Sequence, residues 1–188
     1  MLAQAMALSD DLRRTADVAV AYAASDEELS AVIPTEAAGG ERVYLCAFTA
    51  GDRKSWLALD AGAAPVHDRH VLRDAVSIAG MCELAEETAG GGHLDELRAQ
   101  LAALHETEAP DGIDEAERAV AELELVVGDE LRVASPGYLD EIGTAARRLE
   151  HALGKQGGSP FSEAMKQAGL TIDGLAADIE SHYKLELD

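Results

Sequence analysis

The 188-residue chain is short of cations, of cysteine and of aromatic side chains, and each shortage removes a class of function. Lys and Arg number 15 against 36 Asp and Glu, giving a net charge of -21. Nucleic-acid affinity comes largely from Lys and Arg displacing counterions condensed on phosphates, so a field of this sign predicts no direct nucleic-acid binding. Cys46 and Cys82 are the only cysteines and form neither a CxxC pair nor a secreted framework. Two buried free thiols in a reducing, cytoplasmic setting are therefore expected. The longest clean apolar run, Val18 to Ala24, falls far short of the ~20 residues needed to span a membrane. The opening MLAQAMALSDDLRR has no base ahead of its apolar part and does not read as a signal peptide.

Chemical motifs are missing as well. No GxSxG is present, and no GxGxxG follows a strand-like run. The Gly90–Gly92 run lacks the Lys-Ser/Thr that completes a phosphate loop, and Asp111-Gly-Ile-Asp114 has the wrong ligand spacing for a calcium loop. No nucleotide cofactor is expected.

What the chain does have is acid, unevenly spread. Residues 1–80 carry 12 acids and 7 bases, residues 81–130 carry 15 and 2, and residues 131–188 carry 9 and 6. The local net charges are -5, -13 and -3, so residues 81–130 hold most of the excess.

Periodicity predicts a mainly α (α+β) fold of packed helices with one β-hairpin. Ser9 reads as an N-cap for a helix over about 10–24, and residues 25–41, with a proline and a glycine pair, read as a connector. RVYLCAFT and SWLALD, within residues 42–60, flank a turn-like AGDRK and form the hairpin. Both faces of its first strand are apolar, which calls for helices over at least one of them, and Trp56 reads as a packing anchor.

A helix capped by Asp68 follows and ends at the Gly90 run. Leu94, Leu97, Leu101 and Leu104, then Ile113, Ala116, Val120, Leu123 and Val127, make two narrow apolar seams that predict a helical hairpin. Asp114 and Glu117 have capping-box spacing on the second of these helices. Residues 124–134 fit either a helix end or a second hairpin, with the helix end favoured. Ser135-Pro136 and Ser159-Pro160 open further helices, over about 136–153 and 160–168, and a last helix runs from Thr171 to Tyr183. Residues 1–154 read as one domain and 155–188, after the GKQGGS linker, as a semi-independent helical pair.

MKQAGLTIDGLAADIESH, residues 165–182, resembles the first two helices of the phage-repressor-like helix-turn-helix family. Only YKLELD follows His182, with no room for a recognition helix, so the resemblance implies no more than a turn at Gly169 between two helices.

The densest chemistry lies in VHDRHVLRDAVSIAGMCELAEE, residues 66–87. Cys82 falls in its apolar stripe and reads as a small core residue. His67, His70 and Asp74 lie along a flank, a spacing that suits a divalent transition metal if another element supplies ligands. An Asp68 cap would place His67 before the helix, and HxxH is a weak pattern. Glu86 falls inside the stripe and is a candidate buried carboxylate.

The functional expectation is a non-enzymatic cytoplasmic interaction or regulatory protein. It would act through acidic helical surfaces, by self-association into a homo-oligomer or by docking on a more basic protein, with Glu96, Glu106, Glu108, Glu115, Glu122 and Glu124 setting the preference. The alternatives are a small metal-dependent enzyme built on His67, His70 and Asp74, and a mimic of nucleic acid.

Overall fold

The structure, a computed structural model, describes residues 2–90, 92–106, 113–128, 132–154 and 160–185. Its elements in chain order are α1 (Leu2–Val20), β1 (Glu28–Glu36), β2 (Arg42–Ala50), β3 (Arg53–Asp60), α2 (Arg69–Gly90), α3 (Gly92–Glu106), α4 (Ile113–Val127), α5 (Pro136–Ala152) and α6 (Pro160–Ser181). The fold is α+β and mainly helical.

The expected hairpin is there, with β2 and β3 antiparallel and Ala50 opposite Arg53. Gly51 takes φ 59°, the left-handed backbone that a glycine-first hairpin turn demands. The connector expected at 25–41 is a strand over residues 28–36. β1 pairs antiparallel with β2 and completes a three-stranded sheet of order β1-β2-β3. Pro34 concealed this in the sequence, yet an edge strand tolerates proline because one side of it needs no N–H donor. The register also slips between Leu29 and Ala31, a bulge of the kind found at sheet edges.

Alternation along β2 explains why helices flank the sheet on both faces. Val43 and Leu45, with Ala58 of β3, pack against Leu72, Ala75 and Val76 of α2 and Ala176 and Ile179 of α6, while Trp56 packs half-buried at the margin. Cys46 and Phe48, with Leu57 and Leu59, point the other way and meet Ala19 of α1. Fully burying one Leu or Phe side chain is worth about 1.5–3 kcal/mol, so a sheet with two apolar faces is stable only when both are covered.

The sheet's outer edges are also engaged. On the β1 side, Ala134 donates to Pro34 O at 2.9 Å and accepts from Glu36 N at 2.8 Å. On the β3 side, Trp56 N donates to His182 O at 3.1 Å and Lys184 N donates to Trp56 O at 2.9 Å. Val66 N donates to Ala58 O at 2.9 Å and Asp60 N to Ala64 O at 2.8 Å. The Tyr183 hydroxyl lies 2.9 Å from Val66 O and 3.2 Å from both Ala58 O and Ala58 N. Such occupancy protects edges that would otherwise recruit foreign strands.

The chain divides into two compact units. The sheet unit takes Met1–Gly80, Leu131–Pro136 and Thr171–Asp188; the helical unit takes Met81–Glu130 and Gly137–Leu170. The division therefore runs through α2 and α6. In the helical unit, α3 and α4 form the expected hairpin, and Ala116, Ala119, Val120 and Leu123 bury the inner face of α4. Tyr138, Ile142, Ala145, Ala146 and Leu149 do the same for α5. Leu94 is buried as expected; the side chains of Leu97 and Leu104, and residues 129–131 and 155–159, lie outside the described residues.

Four expectations need correction. α1 starts at Leu2, because Ala, Gln, Met and Leu precede Ser9 without a breaker and the helix runs through it. α1 ends at Val20 in successive turns that carry the chain to Ala23. α4 begins at Ile113, which leaves Asp114 in its first turn rather than at the cap. α6 is one unbroken helix, so there is no turn at Gly169 and no C-terminal pair. A mid-helix glycine costs about 1 kcal/mol against alanine, less than a 22-residue helix gains by packing.

Tyr183→Phe removes the hydroxyl from this edge and leaves the ring. It is expected to lower stability by about 1 kcal/mol in urea unfolding, with an unchanged far-ultraviolet spectrum; wild-type stability in this variant would mean that the hydroxyl adds nothing to the hold of the tail on the β3 edge.

Candidate functional site

The start of α2 is built as its sequence suggests. The Asp68 carboxylate accepts from His70 N at 2.8 Å and from Val71 N at 3.4 Å, so Asp68 is the N-cap. That leaves His67 ahead of the helix and His70 in its first turn, both exposed. Asp74, one turn further on, is engaged elsewhere, since its carboxylate accepts from Ala38 N at 2.5 Å and pins the β1–β2 connection. The three expected ligands are thus not drawn to one point. Among the described residues no group of three or more His, Cys, Asp or Glu is placed to hold a metal ion.

Cys82 lies in the core at 2% exposure and Cys46 at 0%, and neither is in a disulfide. Burial pushes the Cys46 thiol up to about 12, which makes it a poor nucleophile. Glu86 is partly exposed rather than buried.

The carboxylate that is buried is Glu150, at 3% exposure, which accepts from Phe161 N at 3.1 Å in the first turn of α6. An anion at a helix N-terminus satisfies an orphan donor and complements the macrodipole. The signal for it was legible: Glu150 continues the row Tyr138, Ile142, Ala146 at four-residue spacing on the buried side of α5.

The densest polar constellation joins residues far apart in sequence. Glu27 accepts from Ala24 N at 2.8 Å, from Ser55 Oγ at 2.6 Å and from Lys184 Nζ. Lys184 and Glu27 are largely buried, at 11% and 15% side-chain exposure. Lys184 Nζ also lies 4.2 Å from the centre of the Phe48 ring and donates to Tyr22 O at 3.3 Å. The Lys184 and Ser55 hydrogen bonds, with the Ala24 amide, hold the Glu27 carboxyl down at about 2. Beside it, Asp52, Arg53, Lys54, Asp178 and His182 line a small cleft of mixed charge. A glutamate kept ionised by three donors is a weak base, so the cluster ties the C-terminal segment to the sheet rather than activating Ser55.

The second surface is the α3–α4 hairpin. Arg98 pairs with Glu124 and, at 3.2 Å, with Asp95, while His105 Nε2 lies 2.9 Å from Glu117. These cross-links run antiparallel between the helices, and they explain why Glu117 does not complete a capping box. Arg148 of α5 reaches Glu122, and Arg118 Nε donates to Asp114 O at 3.0 Å. The few bases here are already engaged. Exposed on α4 remain Asp114, Glu115, Ala121 and Leu125, the last at 79%. Glu96, Glu106 and Glu108 lie outside the described side chains.

No protein-family model, characterised protein or solved structure matches this chain. No helix among the described residues is long and apolar enough to cross a membrane.

The depressed Glu27 carboxyl sets a pH window. Its folded pKa of about 2 lies below the reference 4.5, so its contribution is full above about 4.5 and is lost as pH falls towards about 2. Acid also relieves repulsion across the -21 chain, so the measurement is the difference from Glu27→Gln. The stability gap between wild type and Glu27→Gln in denaturant titrations should shrink as pH drops through that window; a constant gap would place the effect elsewhere. Metal analysis of tag-free protein should show no stoichiometric transition metal, whereas one lost on His70→Ala would establish ligands at the start of α2.

Proposed function

We propose that this chain is a non-enzymatic interaction or regulatory protein whose acidic helical hairpin docks on a more basic protein. The observation that carries the reading is Leu125, 79% exposed on α4, in the segment that holds -13 of the chain's -21 charges. An isolated exposed leucine needs no explanation, but here exposed Ala121 lies one turn before it and Glu122 and Glu124 are next to the two in sequence. The partner that fits is an amphipathic helix with an apolar line to receive Leu125 and a rim of Lys or Arg to meet Glu115 and its neighbours. Complementary charge would speed and orient the encounter, while the apolar contact would supply the anchor. Arg98 and Arg148 engage Glu124 and Glu122, so the acids left exposed on α4 to meet the partner are Asp114 and Glu115.

A synthetic amphipathic helix of leucine and lysine, titrated against the full chain, tests it. Binding should weaken about tenfold or more when salt is raised well past physiological strength, and again about tenfold in Leu125→Asn, which leaves charge untouched. Binding that Leu125→Asn leaves intact would reduce the attraction to bulk charge, and equal binding of the matched leucine–glutamate helix would end the reading.

A further inference from the structure

We infer that the outward face of α1 is a self-association surface, on which α1 of a second copy of this chain docks antiparallel. Thr15, at 1% exposure, and Ala19, at 0%, mark the face that α1 turns inward. The opposite face carries Met6, Asp10, Arg13, Asp17 and Val20, spaced 4, 3, 4 and 3 residues apart, so they line one side of the helix with apolar ends and a charged middle. Met6 is 63% exposed and Val20 56%, and Tyr22 just beyond the helix is 39% exposed. Three of the four large apolar side chains exposed among the described residues therefore cluster on α1 and its end.

The charges between them select the occupant. Asp10, Arg13 and Asp17 read acid, base, acid in either direction. A copy related by a two-fold axis and shifted by one turn therefore sets Arg13 of each chain against Asp17 of the other, and both pairs form at once. Asp17 has no ion-pair partner among the described residues. Arg13 is held only loosely, 3.8 Å from Asp10, with both side chains about three-quarters exposed. The same shift brings Val20 within one turn of the second copy's Met6. Residues 1–25 carry three acids and two arginines, a net -1 against -21 for the whole chain, so repulsion between two copies is weak here. The inference does not rest on the basic-partner reading, because α1 shares no residue with the surface around Leu125.

Sedimentation of the full chain at about 0.1 mM tests it. Wild type is expected to be dimeric. Arg13→Asp and Asp17→Arg alone should each weaken association about tenfold or more, and an equimolar mixture of the two should restore a heterodimer, since the pairs then form across the seam. Val20→Asn should weaken it without changing charge. All these side chains are exposed, so circular dichroism should match wild type. A monomeric wild type, variants that associate as wild type does, or a mixture no tighter than its components would each overturn the inference.

Discussion

The structure depends on one constraint: a three-stranded sheet whose central strand is apolar on both faces. Val43 and Leu45 demand cover on one side, and Cys46 and Phe48 demand it on the other. A single helix layer can satisfy only one of those demands, so the chain must bring α1 to one face and parts of α2 and α6 to the other. The sheet unit is consequently made from both ends of the sequence, and Ala134 and the 182–184 segment are drawn to its edges. The Lys184–Glu27 pair follows from this, since a lysine arriving beside Phe48 and largely removed from water requires an anion there.

How much of this the sequence disclosed depended on whether the responsible residues were neighbours. The β2–β3 hairpin was legible because alternation and a glycine turn are local signals, and the Asp68 cap and the Pro136 helix start were legible for the same reason. β1 was hidden because its strand character is conferred by pairing with β2, while Pro34 and the Gly39–Gly40 pair argued locally for a connector. The continuity of α6 was hidden because Gly169 is a local breaker and the packing that offsets it is not local.

The candidate sites divide along the same line. His67, His70 and Asp74 formed a pattern in sequence, but the fold assigns Asp74 to the Ala38 amide and leaves the histidines at the surface. Glu27, Ser55 and Lys184 formed no pattern, being separated by up to 157 positions, yet the sheet brings them together. Glu150 lay between: its row on α5 was visible, but the Phe161 amide that makes its burial tolerable belongs to a different helix. The acidic surface of the α3–α4 hairpin follows from composition, and what the fold adds is which acids are engaged and that Leu125 is not covered.

Native-state hydrogen exchange, read at single amides, tests the central claim most directly. If the sheet is sealed on both faces and along β3, the amides of Trp56, Ala58 and Asp60 should open only with the unit as a whole, as slowly as those of β2. Trp56 and Ala58 exchanging at the rate of surface loops while β2 stays protected would show that the edge is bare and that the chain's end does not hold it.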